Sequence, residues 1–249
     1  MNPADKFKKE VLNNIKALAK DSILKKKTNE WIIEANKKNY SYNFSWLGRP
    51  IIQYPQDIIA LQEIIWDVKP DMIIETGIAH GGSLIFSASM LALLEICGEV
   101  ENGQVLGIDV DIREHNKRAI NKHPLSKNIT MLQGSSLDET IIDKVYDYTQ
   151  KSKRILVCLD SNHTHNHVLN ELKIYAPLVS VGSYCVVFDT IVEDIPQGSF
   201  TNRPWDKGNN PKTAVKEYIK THPEFVIDNS ICDKLLITVA PDGYLKRIV

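Results

Sequence analysis

The chain is predicted to be α/β: a doubly wound, mostly parallel seven-stranded sheet preceded by an N-terminal helical extension. Three observations carry this. From residue 70 onward, short apolar runs alternate with amphipathic stretches at helical spacing, the rhythm of strand–helix–strand units. The strand runs are apolar along their length, as in a parallel sheet covered on both faces. Ahead of any of them, residues 4–38 are lysine-rich with a patchy apolar stripe of Phe7, Val11, Ile15, Leu18, Ile23, Ile32 and Ile33. The expected division is therefore an extension over residues 1–45 and one α/β domain over 46–249.

The elements follow in order. Residues 4–38 read as helix packed on the core or on a second subunit. "YSYNFSWLGRPIIQYPQD" (40–57) is aromatic, carries two prolines and reads as an ordered loop or lid, with a helix at about 56–67. "DMIIET" (71–76), bounded by Pro70 and Gly77, is the first strand, and "GGSLIFSASMLALLEIC" (81–97) its helix. "QVLGIDV" (104–110), "NITMLQG" (128–134), "RILVCLD" (154–160) and "GSYCVVFD" (182–189) are the next four strands. Helices are expected between them at 113–123, 137–150 and 164–179. "EFVID" (224–228) and "KLLITVA" (234–240) read as a closing hairpin.

Composition narrows the function classes. In 249 residues, 43% are hydrophobic and 24% charged, ordinary for a soluble globular chain. A net charge of −1 offers no basic excess for phosphate, so nucleic acid is not the expected partner. No apolar run reaches the roughly 18 residues of a membrane span, and "MNPADKFKKEVLNN" has no secretory apolar stretch. Cys97, Cys158, Cys185 and Cys232 form no C-x-x-C pair and read as buried free thiols in a reducing, cytoplasmic compartment.

In a sheet of this kind ligands bind at the carboxyl ends of the strands, near the reversal of strand order. Those ends carry Glu75-Thr76-Gly77, Asp109, Gly134-Ser135-Ser136, Asp160-Ser161-Asn162-His163 and Asp189-Thr190. Four carboxylates on one rim need solvent, a cation or a donor-rich ligand. The first turn, "ETGIAHGGS", fails the G-x-G-x-x-G dinucleotide pattern, because Ala79 stands where the second glycine belongs. This weighs against an NAD-dependent oxidoreductase. S-Adenosylmethionine fits better: its amino-acid end suits an acid, a glycine turn and a helix start, and its ribose suits Asp109.

"IIETGIAHGGSL", "GIDVDIR", "LDSNHTHNHVLNELKIYAPLVSVGSYCVVFDT" and "GNNPKTAVKEYI…EFVID…KLLITVAPDGYLKR" together resemble the cephalosporin hydroxylase/rhamnosyl O-methyltransferase family, over residues 45–246. The resemblance implies a Rossmann-like class I methyltransferase fold and methyl transfer from S-adenosylmethionine, assisted by magnesium, to a hydroxyl on a sugar or natural product. It implies that Glu75, Thr76, Gly77, His80, Gly81, Gly82 and Ser83 hold the methionine part. Asp109 would bind the ribose, and Ser135 and Ser136 would lie by the adenine. Asp160 and Asp189 would be metal ligands, with Asp160 also serving cofactor and catalysis. His163 would be the general base. Where many relatives have a glutamate before the last aspartate, this chain has Phe188. A homo-oligomer acting on a small-molecule or sugar acceptor is expected; a non-catalytic S-adenosylmethionine-binding partner is the reading from another class.

"LDSNHTHNH" (159–167) places three histidines in five residues. Zinc would need three or four converging ligands, and no accompanying motif supplies them. His165 and His167 read as solvated residues of a helix's first turn, whereas His163 sits in the loop where side chains face a ligand. The segment 190–215, rich in Pro, Gly and Asn, reads as a specificity loop. In it Trp205 could stack on a sugar face or simply pack in the loop, and Asn209 and Asn210 offer amides; Glu193 and Asp194 read by default as a solvated pair, with replacement of the missing metal ligand the alternative.

Overall fold

The computed structural model describes residues 2–249. The N-terminal stretch is two helices, α1 (Pro3–Lys20) and α2 (Ser22–Asn36). Asp21 separates them: it ends α1, and its side chain accepts the Leu24 amide at 2.8 Å as the N-cap of α2. The pair packs on the body of the chain. Lys25 reaches Asp233 at 2.9 Å, and Ile32 is buried in the core. Trp31 and Tyr40 pack edge-on, and both meet Tyr54. A short hairpin follows, β1 (Phe44–Trp46) and β2 (Arg49–Ile51), so the division expected at residue 45 falls inside a strand. The segment 40–57, expected as an ordered loop, is thus largely regular structure.

After α3 (Pro55–Val68) the chain alternates as the sequence predicts: β3 (Met72–Thr76), α4 (Gly82–Ile96), β4 (Gln104–Asp109), α5 (Glu114–Asn121), β5 (Ile129–Gln133), α6 (Glu139–Thr149), β6 (Ile155–Leu159), α7 (His165–Tyr175) and β7 (Tyr184–Val187). Then come α8 (Pro211–Tyr218), β8 (Phe225–Ile227), α9 (Asn229–Leu235) and β9 (Tyr244–Arg247). The seven-stranded sheet has the order β5-β4-β3-β6-β7-β9-β8. The five strands from β5 to β7 are parallel, and β9 is antiparallel to both β7 and β8. Its central strands β3 and β6 are buried at every residue, which accounts for their unbroken apolar runs.

One strand is not where the sequence places it. "KLLITVA" (234–240) ends α9 and then becomes a loop, in which Leu236 has φ +61°. The pairing strand is the later, more polar Tyr244–Arg247, reached through the Pro241-Asp242-Gly243 turn. The apolar residues of 234–240 are recruited by a different device. Asp57, completely buried at the start of α3, accepts hydrogen bonds from the Thr238 hydroxyl, the Val239 amide (2.9 Å) and the Tyr244 hydroxyl (2.8 Å). Burial pushes its pKa up to about 6, against the pull of those donors.

The cysteines also divide. Cys158 and Cys185 are buried in β6 and β7, Cys232 is half-buried and Cys97 is exposed, all free. Among the described residues no helix is long and apolar enough to cross a membrane.

Asp57→Ala leaves three buried donors unpaired. At about 1–3 kcal/mol for each unsatisfied group, offset in part by relief of the carboxylate's own desolvation cost, the expected loss is roughly 3–5 kcal/mol, read as a lower denaturant midpoint at unchanged slope.

Candidate active site

The order of strands reverses between β3 and β6: from β3 the chain fills one side of the sheet through β4 and β5, then crosses to β6. At this point Gly77 leaves β3 with φ +93°, and a Cβ built there would overlap the carbonyl of Asp160. Only glycine lets the turn lie on the end of β6. The contact is fixed by backbone bonds from Asp160 N to Thr76 O (2.9 Å) and from Gly77 N to Ile108 O (2.8 Å). Gly82, the first residue of α4, is equally confined, against the backbone of Pro50 and Ile51.

These turns open into a cleft of about 530 Å³. Gly77, His80, Gly81, Gly82 and Ser83 line one wall; Asp160, Ser161, His163 and Asp189 line another. Asn39, Tyr42 and Gln53 from the N-terminal part, with Phe200, Arg203 and Trp205 from the long loop, complete it. Another cavity, of about 700 Å³, lies at the amino ends of β3 and β4, among Asp71, Gln104 and Lys153, and shares none of these residues.

Glu75 and Thr76 lie under the turn, both buried. Glu75 accepts a hydrogen bond from the Ser83 hydroxyl, and burial pushes its pKa up to about 7. Asp109 supports the turn: Oδ2 accepts the amides of Ile78 (2.8 Å) and Ala79 (3.2 Å), and Oδ1 that of Asp111 (2.9 Å). Each carboxylate oxygen can accept more than one hydrogen bond, so capacity for a ligand hydroxyl remains. The Ser135 hydroxyl accepts the Leu137 amide at 3.3 Å. Ser136 is buried, its hydroxyl 3.1 Å from His167 Nε2, so its side chain faces inward. Neither serine lines the cleft.

Asp160, His163 and Asp189 converge, with one potential ligand atom from each lying within 4.8 Å of the others. No other such group of three or more occurs among the described residues. His163 Nε2 is 3.3 Å from Asp189 Oδ2, and Trp205 packs edge-on against the imidazole at 4.6 Å. The Asp160 carboxylate accepts no hydrogen bond among the described residues; burial first, then the neighbouring charge of Asp189, holds its pKa well above the usual carboxylate range. Asp189 has φ +54°, which turns the chain sharply after β7. Hard oxygen donors around a half-buried carboxylate that accepts no hydrogen bond among the described residues are the donor set magnesium takes. Phe188 adds no ligand: its ring is 2% exposed and belongs to the core that contains Val186, Ile191 and Ile195.

The neighbouring histidines are half-buried and bonded to protein groups rather than free in solvent. His165 Nδ1 lies 2.8 Å from the Thr213 hydroxyl, and its Nε2 lies 3.2 Å from Glu217 on α8. His167 Nε2 meets Ser136, Ser161 (3.2 Å) and the buried Glu171 (3.5 Å). Only His163 joins the acidic pair, so the three do not form one metal site. The amides expected to face a sugar are spent on the loop. Asn209 accepts the His165 amide and donates to Pro204 O, and Asn210 caps α8. Glu193 accepts from Gly208 and Asn210, and Asp194 pairs with Lys212, so neither joins the metal cluster.

The site also holds residues that the sequence did not single out. Gln53 and Arg203 carry no motif, and only the fold brings them to the strand ends.

Glu75 makes a pH prediction. Its pKa in the fold, about 7, exceeds the ordinary 4.5, so the folded state holds the proton more tightly than the unfolded one. The stability it contributes is complete below about pH 4.5 and is lost as pH rises through 7. Melting temperature followed across that window should fall for the native protein, and fall less steeply for Glu75→Gln.

Similarity to known proteins agrees with this geometry. Residues 38–248 match the rhamnosyl O-methyltransferase/CmcI family. A rhamnosyl O-methyltransferase of Mycobacterium bovis is 28% identical over 224 residues, covering 87% of this chain and 85% of the relative. Its namesake in Mycobacterium leprae is 26% identical, with coverages of 87% and 90%. In structure, CmcI with magnesium and S-adenosylmethionine superposes with a TM-score of 0.56 at 20% identity, covering 84% of this chain and 78% of CmcI. An O-methyltransferase from Bacillus cereus in complex with S-adenosylhomocysteine gives 0.52 at 15% identity, with coverages of 80% and 81%. These likenesses fix the fold as that of Rossmann-like methyltransferases. With the family match spanning most of its length, the chain belongs to the rhamnosyl O-methyltransferase/CmcI family.

Proposed function

We propose that this protein transfers a methyl group from S-adenosylmethionine to a hydroxyl of a sugar or sugar-containing acceptor, with magnesium assisting. The carrying observation is that a glycine turn leading into a helix and an Asp160–His163–Asp189 cluster face one cleft. The names of the relatives supply the sugar. The failed dinucleotide pattern at Ala79 leaves no comparable support for NAD.

The wall from Gly77 to Ser83 holds the amino-acid part of the cofactor. The start of α4 offers free backbone N–H groups to its carboxylate, and the buried Glu75 braces the turn from beneath through the Ser83 hydroxyl. Asp109 takes the ribose, and the backbone at Ser135 and Ser136 borders the base. Asp160 and Asp189 hold the cation, which when bound makes an acceptor hydroxyl more acidic. His163 takes the proton from that hydroxyl, with Trp205 packed on its ring to fix its orientation. Trp205 and Tyr42 offer aromatic surface to a sugar ring. Methyl transfer is an in-line displacement, so holding the acceptor against the methyl group supplies much of the acceleration.

His163→Ala is expected to lower kcat by about 10²–10⁴-fold, the usual contribution of a general base, with S-adenosylhomocysteine affinity by calorimetry unchanged. Near-full turnover would move the base elsewhere.

Activity should disappear with chelator and return with magnesium. Asp160→Asn should raise the magnesium concentration needed for half-activity by roughly tenfold or more, about 1.4 kcal/mol of binding. Insensitivity to chelator would exclude metal assistance.

A further inference from the structure

Gln53 is 4% exposed, and its side-chain oxygen Oε1 is buried with no hydrogen-bond partner among the described residues. A buried amide oxygen without a partner is costly, and native structures keep few of them. Five buried side-chain polar atoms lack a partner among the described residues, on Gln53, Gln56, Asn128, Ser183 and Tyr218. Of these residues only Gln53 lines the cleft. Its unused hydrogen-bonding capacity is therefore placed where a ligand goes.

The backbone indicates which part of the ligand. Gln53 follows β2 by two residues, and β2 ends against the start of α4: a side chain on Gly82 would collide with Pro50 O and Ile51 Cα. The stretch 50–53 therefore runs beside the first turn of α4, where free N–H groups and the positive end of the helix dipole favour a carboxylate. The base and ribose are expected on the other side, toward Asp109 and β5, past the end of β4. An amide suits a zwitterion, since Nε2 donates to a carboxylate and Oε1 accepts from an ammonium.

We propose that Gln53 recognises the amino-acid end of S-adenosylmethionine, so that the segment joining the N-terminal hairpin to α3 forms part of the cofactor site. The inference rests on the reading of the chain as an S-adenosylmethionine enzyme.

Calorimetry on the full chain, using two adenosyl ligands, tests it. S-Adenosylhomocysteine carries the amino-acid end; 5′-methylthioadenosine lacks it. Gln53→Met keeps the length and most of the volume of the side chain. It is expected to bind S-adenosylhomocysteine roughly 10- to 100-fold more weakly than the native protein, the range for hydrogen bonds to charged groups. Its affinity for 5′-methylthioadenosine should be unchanged. Gln53→Ala, compared at matched melting temperature, should give the same pattern and serves if the first variant folds poorly. Equal weakening of both ligands would make Gln53 a structural residue and overturn the proposal. Unchanged S-adenosylhomocysteine affinity with an altered acceptor KM would overturn it too, and give the amide to the acceptor. If the native protein binds neither ligand, the cofactor reading itself fails and this assignment falls with it.

Discussion

Much of the site follows from one close approach, that of Gly77 to the carbonyl of Asp160. Two parallel strands that exchange hydrogen bonds would ordinarily send their chains off above the sheet in separate directions. Here the chain leaving β3 lies down on the end of β6, and any side chain at position 77 would forbid it. The contact sets the height of the glycine turn against the height of the acidic cluster. It also brings the two walls of the cleft from the two halves of a doubly wound sheet. Asp109 reinforces it from β4 by holding the amides of Ile78 and Ala79.

Asp57, Glu75 and Asp160 differ in how their charge is met. Asp57 has three donors and joins α3 to the chain before β9. Glu75 has one, the Ser83 hydroxyl. Asp160 has none among the described residues, and the charge of Asp189 opposes its own ionisation. That gradient, from fully satisfied to unsatisfied, runs from scaffold to chemistry. A carboxylate kept without donors is costly to the fold and is best compensated by a cation.

The sequence made the frame legible because β3 through β7 and their helices obey simple periodicities, and because parallel strands buried on both faces are apolar throughout. It misled where burial was achieved by other means. Leu235 and Ile237 belong to a run with the composition of a strand, but their apolar side chains pack from a helix end and a loop, while Tyr244–Arg247 pairs with β7 in spite of its charge. The strand-end carboxylates were visible as residues following apolar runs. The duties of His165 and His167 were not, since their partners Thr213, Glu217 and Ser136 are remote in sequence. Phe188 was recognisable as a departure from the family pattern, but only the packing shows that its ring belongs to the core. Gln53 had no signal at all: a lone glutamine before a tyrosine and a proline does not announce that it is buried.

The crowding of Glu75, Asp160 and Asp189 around one cleft also bears on how a catalytic cycle ends. The methyl donor arrives with a positive sulfonium, and its spent form is an uncharged thioether. Carboxyl groups pushed towards neutrality by burial ionise more readily beside a cation, so such a rim favours the first over the second. In a methyltransferase built this way the pull on the ligand weakens once the methyl has gone, which favours product exchange over product inhibition.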